Sequence, residues 1–272
     1  MKMKKKPNIQ LQYEGFLNTP LLWKLKSFEE LIQFETPCTD IASYDQLTPG
    51  KIRLGKLVER FVSCELRSNK SVSIISENLQ IVENKITIGE IDCLLRYMNQ
   101  LIHLEVCYKF YLYDKNLDKR ESDKWIGPNK RDSLGKKIAK LKSKQLPILF
   151  HKETIRILEK INIDVAEIIQ LVYFKAQLFV PYLRKPSLLP EINNDCIKGF
   201  YIKKNELDQF IGHTFYIPSK KQWIIDVHNN VDWIKFNDFL PELTKLLDNE
   251  KSPLCWFKDS KGNIEKVFVV WW

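Results

Sequence analysis

The stretch that most limits what this chain can fold into is residues 86–113, ITIGEIDCLLRYMNQLIHLEVCYKFYLY. Two apolar runs flank a short polar break, the pattern of a β-hairpin. Three ionisable residues interrupt those runs: Asp92, Glu105 and Lys109. A charge in a strand that otherwise reads as buried is costly unless it is paired or binds a metal. A turn centred on Asn99-Gln100 sets position 92 opposite position 107. Positions 105 and 109 then flank that pair on the same face, because side chains alternate with period two. Diagonal neighbours of this kind lie about 7–8 Å apart, within reach of a shared divalent ion. A three-residue loop would instead turn Asp92 to the other face. The competing reading is structural: one carboxylate faces solvent on an edge strand and the other pairs with Lys109. His103 falls on the same face as Glu105.

The segments around the hairpin alternate in type. An amphipathic helix is predicted over 18–35, closed by Pro37, with Ser27 and Glu30 as a capping box inside it. A second helix over 53–66 carries Glu59 beside its apolar stripe. Strands are expected at 72–76 and 79–82. After the hairpin, 114–131 reads as a loop, marked by Gly127-Pro128-Asn129. A helix over 133–146 follows, with Gln145 as a polar residue on its apolar side. Its lysines 136, 137, 140 and 144, with Lys130 and Arg131 just before, form a face suited to a phosphate backbone. The same lysines are equally compatible with a solvated surface. A short helix is expected at 151–163, and 165–182 reads as β-rich with a bend near Lys175. Pro186 and Pro190 mark a linker-like break, which divides the chain into 1–183 and 184–272. Beyond it, strands are expected at 197–203, 214–218 and 222–227, then a helix at 236–248 and a closing hairpin around 259–262.

Bulk properties narrow the classes. The 272 residues are enough for one large domain, or one with an appendage. Lys and Arg outnumber Asp and Glu by 43 to 34, a net charge of +9, which favours polyanionic partners. Six scattered cysteines without a C-x-x-C pair argue against a disulfide frame or a zinc site. The basic amino terminus, with lysines at 2, 4, 5 and 6, lacks the apolar core of a signal peptide. No apolar run is long enough to span a bilayer. A soluble, cytoplasmic protein without a membrane partner is the expectation. The oligomeric state is not legible.

The order of elements now matters. A helix with Glu59 precedes a strand with GEIDCLL, a strand with HLEVCYKFYL, and the segment WIGPNKRDSLGKKIAKLKSKQL. With NTPLLW near the start and IKGFY late in the chain, these stretches resemble the PD-(D/E)XK nuclease superfamily. More closely, they resemble an uncharacterised bacterial domain-of-unknown-function family within it. The resemblance implies an α/β, restriction-endonuclease-like core, αβββαβ, whose mixed sheet is flanked by helices. It sets that core in 1–183 and an α+β extension in 184–272. It implies Asp92 and Glu105 as ligands of Mg²⁺ or Mn²⁺, Lys109 beside the nucleophile or the developing charge, and Glu59 and Gln145 as accessory residues. The implied activity is hydrolysis of phosphodiester bonds in DNA. Lys130, Arg131, Lys136, Lys137, Lys140 and Lys144 would hold the backbone. The superfamily signature has its lysine two residues after the glutamate, where this chain has Cys107. Lys109 lies four residues on, about 6.6 Å further along the strand than the usual position. Lys136 or Lys140 could substitute from the helix. A catalytically silent binder of nucleic acid or protein is the alternative.

Overall fold

The protein is described here from a computed structural model covering residues 8–24, 27–36, 43–44, 52–117, 119–183 and 190–272. The terminal lysines at 2, 4, 5 and 6, Pro37 and the linker around Pro186 lie outside the described residues. In chain order the elements are α1 Asn8–Leu17, β1 Ser27–Phe28, β2 Leu31–Ile32, α2 Leu54–Ser68, β3 Val72–Glu83, β4 Ile86–Tyr97 and β5 Gln100–Tyr113. There follow α3 Glu121–Lys124, β6 Trp125–Ile126, α4 Leu134–Lys140, α5 Lys152–Glu159, β7 Ile168–Pro181 and β8 Ile197–Lys203. The chain continues through β9 Thr214–Tyr216, β10 Ile234–Lys235, α6 Phe236–Asp248, β11 Leu254–Lys258 and β12 Ile264–Val270. The fold is mixed α/β, with a ten-stranded sheet flanked by helices. The strand order is β10-β9-β11-β12-β8-β7-β5-β4-β3, with β6 added on β5. The pairs β7–β8 and β8–β12 are parallel, and β3–β4 and β4–β5 are antiparallel.

The described chain divides into two compact units. One comprises Leu21–Tyr108 and Lys136–Lys175. The other comprises Met1–Pro20, Lys109–Gly135 and Ala176–Trp272. In the first unit, Ile81, Ile91, Leu94, Leu101, Leu149 and Leu158 form a closed core between the hairpin strands and the helices that follow. In the second, Phe200, Phe215, Phe239, Leu243, Phe257 and Val267 pack α6 on β8, β9, β11 and β12. Phe215 and Phe239 stack with ring centroids 4.2 Å apart. The carboxy-terminal Trp272 is tied down: its Nε1 donates to Pro128 O at 2.9 Å, and Lys130 Nζ lies 4.0 Å from its ring centroid.

Several expectations change. The 18–35 helix is absent. Its apolar residues Leu22, Trp23, Phe28 and Leu31 are buried from extended backbone instead. Leu22 N–H donates to Phe174 O and Phe34 N–H to Val172 O, and β1–β2 turns through Glu29-Glu30 at positive φ. Tertiary pairing with β7 thus overrides a helical period. Helix α1 lies upstream, where none was expected. The two strands expected at 72–82 form one strand, β3, which accommodates Asn78 at φ 53° and two register irregularities. Residues 222–227 do not form a strand. Lys220–Ile224 is a 3₁₀ turn, closed at its start by Ser219 and Gln222. β7 runs unbroken as 14 residues through Lys175.

Candidate functional site

The hairpin turns one residue earlier than expected. Met98 and Asn99 take φ of 47° and 65°, the left-handed pair of a type I′ turn, and Tyr97 pairs with Gln100. Position 92 is therefore in register with 105 and not 107. The displacement in register is two residues, an even number, so Asp92 and Glu105 stay on one face. The β4–β5 ladder stops at Cys93↔Leu104. Just beyond it, Asp92 Oδ2 accepts the Val106 N–H at 2.9 Å. A side-chain carboxylate thus takes the place of a main-chain carbonyl where the strands part.

Glu105 is fully buried, and each of its oxygens has a hydrogen-bond partner. Its Oε1 lies 3.0 Å from His103 Nε2, and its Oε2 accepts from Gln145 Nε2 at 2.5 Å. The donors can be deduced. Gln170 Nε2 lies 2.6 Å from Leu146 O, a carbonyl that only accepts, which fixes the orientation of the amide. The same Nε2 lies 3.0 Å from His103 Nδ1. Nδ1 is then an acceptor, and the histidine proton sits on Nε2, facing Glu105. Gln145 is fixed in the same way, since its Oε1 accepts from Lys137 Nζ at 2.6 Å. The amide therefore links an ammonium to a carboxylate with each end correctly oriented.

This link depends on a helical irregularity. Eight residues separate Lys137 from Gln145, and on a regular α-helix they would face about 80° apart. After α4 the chain makes a π-helical turn, Leu141–Gln145, followed by a 3₁₀ turn, Leu146–Phe150. The wider turn absorbs the surplus and brings both side chains to Glu105's side. π-Turns of this kind recur at functional sites.

The electrostatics follow from the packing. Burial, reinforced by the charge of Glu105, pushes the Asp92 carboxyl up to about 7, against the pull of the Val106 N–H and of Lys137. Burial likewise raises Glu59, and its ion pair with Lys56 opposes the rise. Lys56 Nζ binds Glu59 at 2.7 Å, Glu90 at 2.8 Å and Asn78 Oδ1 at 2.7 Å. The Cys107 thiol is raised to about 11 by burial, with Lys137 opposing through its charge and a hydrogen bond.

Of the residues singled out in the sequence, Asp92, Glu105 and Gln145 meet here, and Glu59 lies near enough to feel the charge of Glu105. Lys109 is engaged elsewhere: its Nζ lies 2.5 Å from Asp132 Oδ2. The lysine beside the carboxylates is Lys137, which the sequence marked only as a phosphate contact. Gln170, Lys56 and Glu90 carried no sequence signal, since only tertiary pairing gives them their partners. Lys136, Lys140 and Lys144 are exposed in the same unit, whereas exposed Lys130 and Arg131 belong to the other. Among the described residues, no three His, Cys, Asp or Glu side chains are grouped to hold a metal. No helix among them is long and apolar enough to cross a membrane.

Fold and site define a mixed α/β protein with two juxtaposed carboxylates, one of them fully buried, served by a lysine and a glutamine from a π-distorted helix. The chain belongs to the family described as a domain of unknown function (DUF1853), whose model matches residues 19–270. That family description names no activity and makes no link to the PD-(D/E)XK superfamily. No curated protein and no solved structure matches the chain.

Proposed function

We propose that this protein is a metal-dependent nuclease with a PD-(D/E)XK-type, restriction-endonuclease-like core that hydrolyses phosphodiester bonds in DNA. The observation that carries the reading is the hydrogen-bonded line Lys137–Gln145–Glu105 beside Asp92. It joins two carboxylates, an ammonium and an amide on one face of the hairpin and its following helix. The donor set suits Mg²⁺ or Mn²⁺, which take one or two carboxylates and keep several waters. Burial first and the charge of Glu105 second raise Asp92, and a bound dication offsets both. Asp92 and Glu105 would hold the ion, which when bound supplies Lewis-acid polarisation and a more acidic water.

The chain's own residues do the rest. Lys137, not Lys109, stands where an ammonium can offset negative charge developing on a phosphoryl group. Gln145 holds Lys137 in place and orients Glu105. His103, kept in one tautomer by Gln170, fixes the other oxygen of Glu105. Glu59 stands near enough to orient a water. Lys136, Lys140 and Lys144 would follow the phosphate backbone from the exposed side of the same segment.

The second reading, a silent member that binds nucleic acid without cutting it, is favoured by one observation. Cys107 occupies the usual lysine position, and Lys109 is committed to Asp132. Incubating the pure protein with single- and double-stranded DNA and RNA in Mg²⁺ or Mn²⁺ separates the two. The nuclease reading expects cleavage that Asp92→Ala and Lys137→Ala abolish and Lys109→Ala spares. Cleavage that survives Asp92→Ala would sink it. Salt-dependent binding without cleavage selects the silent binder.

A further inference from the structure

Outside the carboxylate site, the second unit holds a cavity of about 320 Å³, at the small end of the range of ligand sites. Its wall includes Tyr216, Gln222, Ile225, His228, Asp232 and Trp256. Tyr216 and Trp256 are direct cross-strand partners on β9 and β11, with ring centroids 5.2 Å apart. His228 meets Trp256 edge-on, at 5.1 Å and 81°.

The charge of the wall is unusual for this chain. The protein carries a net +9, yet among the described residues no lysine or arginine lines the cavity. His228 is neutral there. Its Nδ1 accepts the Asn230 N–H at 3.2 Å, which leaves the proton on Nε2. Among the described residues, the one full charge in the wall is the Asp232 carboxylate, which no basic side chain of theirs neutralises by an ion pair. That charge is felt at Tyr216, whose phenol is raised by burial first and by Asp232 in the same sense, against Gln222. Aromatic faces and a carboxylate attract the same kind of partner, a cation. The unit uses this chemistry within itself: Lys258 Nζ lies 4.4 Å from the Trp233 ring centroid, and Lys130 Nζ 4.0 Å from that of Trp272.

We propose that this cavity is a binding site for a small organic cation, an alkylammonium or guanidinium group held by Asp232 against the Tyr216–Trp256–His228 wall. The cation comes either free or on the side chain of a peptide, and the chemistry of recognition is the same.

The test uses the full chain, with choline and methylguanidinium as probes, followed by calorimetry and by the Trp256 indole N–H resonance. Both cations are expected to bind saturably and to shift that resonance. The neutral isostere 3,3-dimethylbutan-1-ol is expected to bind at least about tenfold more weakly than choline. Asp232→Asn alters an exposed residue, so it spares the fold, and it is expected to weaken both cations by about tenfold or more. A blocked Gly-Arg-Gly peptide that binds as well as methylguanidinium assigns a side chain, and its exclusion assigns a free cation. Either result keeps the site. The proposal is overturned if neither cation binds saturably, if the neutral isostere matches choline, or if Asp232→Asn leaves binding unchanged.

Discussion

The two units each bury a charged side chain, and they do so by opposite means. Glu105 is sealed from solvent among donors: His103 on one oxygen, Gln145 on the other, with Lys137 behind the amide. Lys266, on β12, is also buried but meets only neutral acceptors, Gln177 Oε1 at 2.8 Å and Trp223 O at 3.0 Å. Burial pulls Lys266 down to about 7, with Asp226 favouring its charge and Lys198 opposing it. The contrast teaches what the site costs and why it persists. A buried ionisable group with too few charged partners gives up its charge. Around Glu105 the chain instead assembles a hydrogen-bonded network in which each amide end has the right partner.

Four changes probe that contrast, in descending order of effect. Glu105→Ala leaves the His103 and Gln145 N–H groups buried without an acceptor, and urea unfolding should show a loss of about 3–5 kcal/mol. A loss under about 1 kcal/mol would mean that the network is not tightly made. Lys266→Met acts on pH dependence. Between about pH 7 and its ordinary value of 10.5, the native state holds fewer protons than the unfolded chain. Stability therefore rises with pH through that window, by at most about 1.4 kcal/mol per pH unit. Unfolding curves at pH 7, 8 and 9 should lose that slope in the variant, and an unchanged slope would show that Lys266 is not its source. Gln170→Leu frees the ring of His103 and should cost about 1–2 kcal/mol. On the proposed nuclease reading it should also weaken Mg²⁺-dependent cleavage more than Lys109→Ala does. Lys109→Ala removes an ion pair whose partners are each about one-third exposed, and should cost under about 1 kcal/mol.

How much of this was legible without coordinates depends on which physical rule was in charge. Period two put Asp92 and Glu105 on one face, and it survived a misplaced turn because the register slipped by an even number. Helices over 53–66 and 236–248, and the closing hairpin, were readable because each buries a single apolar stripe. The 18–35 segment misled because its apolar spacing suits a helix while its backbone hydrogen bonds go to β7. Lys137 was visible only as one lysine among several. Its target is set by a π-turn, and nothing in the residues 141–145 announces that turn. Lys109 looked central because it shares the face of Glu105, but Asp132, 23 residues away in sequence, claims its amine.

The π-turn also makes the arrangement readable in relatives without any coordinates. It amounts to one residue more than a regular helix would need between Lys137 and Gln145. A member of the family lacking a single codon in that interval would have a straighter, regular helix. Its glutamine, seven residues on, would then stand about 20° from the lysine, so the two side chains would share a face without any π-turn. The length of that interval, rather than the identity of any residue in it, is then a heritable mark of whether a relative needs the π-turn to bring its lysine and glutamine together.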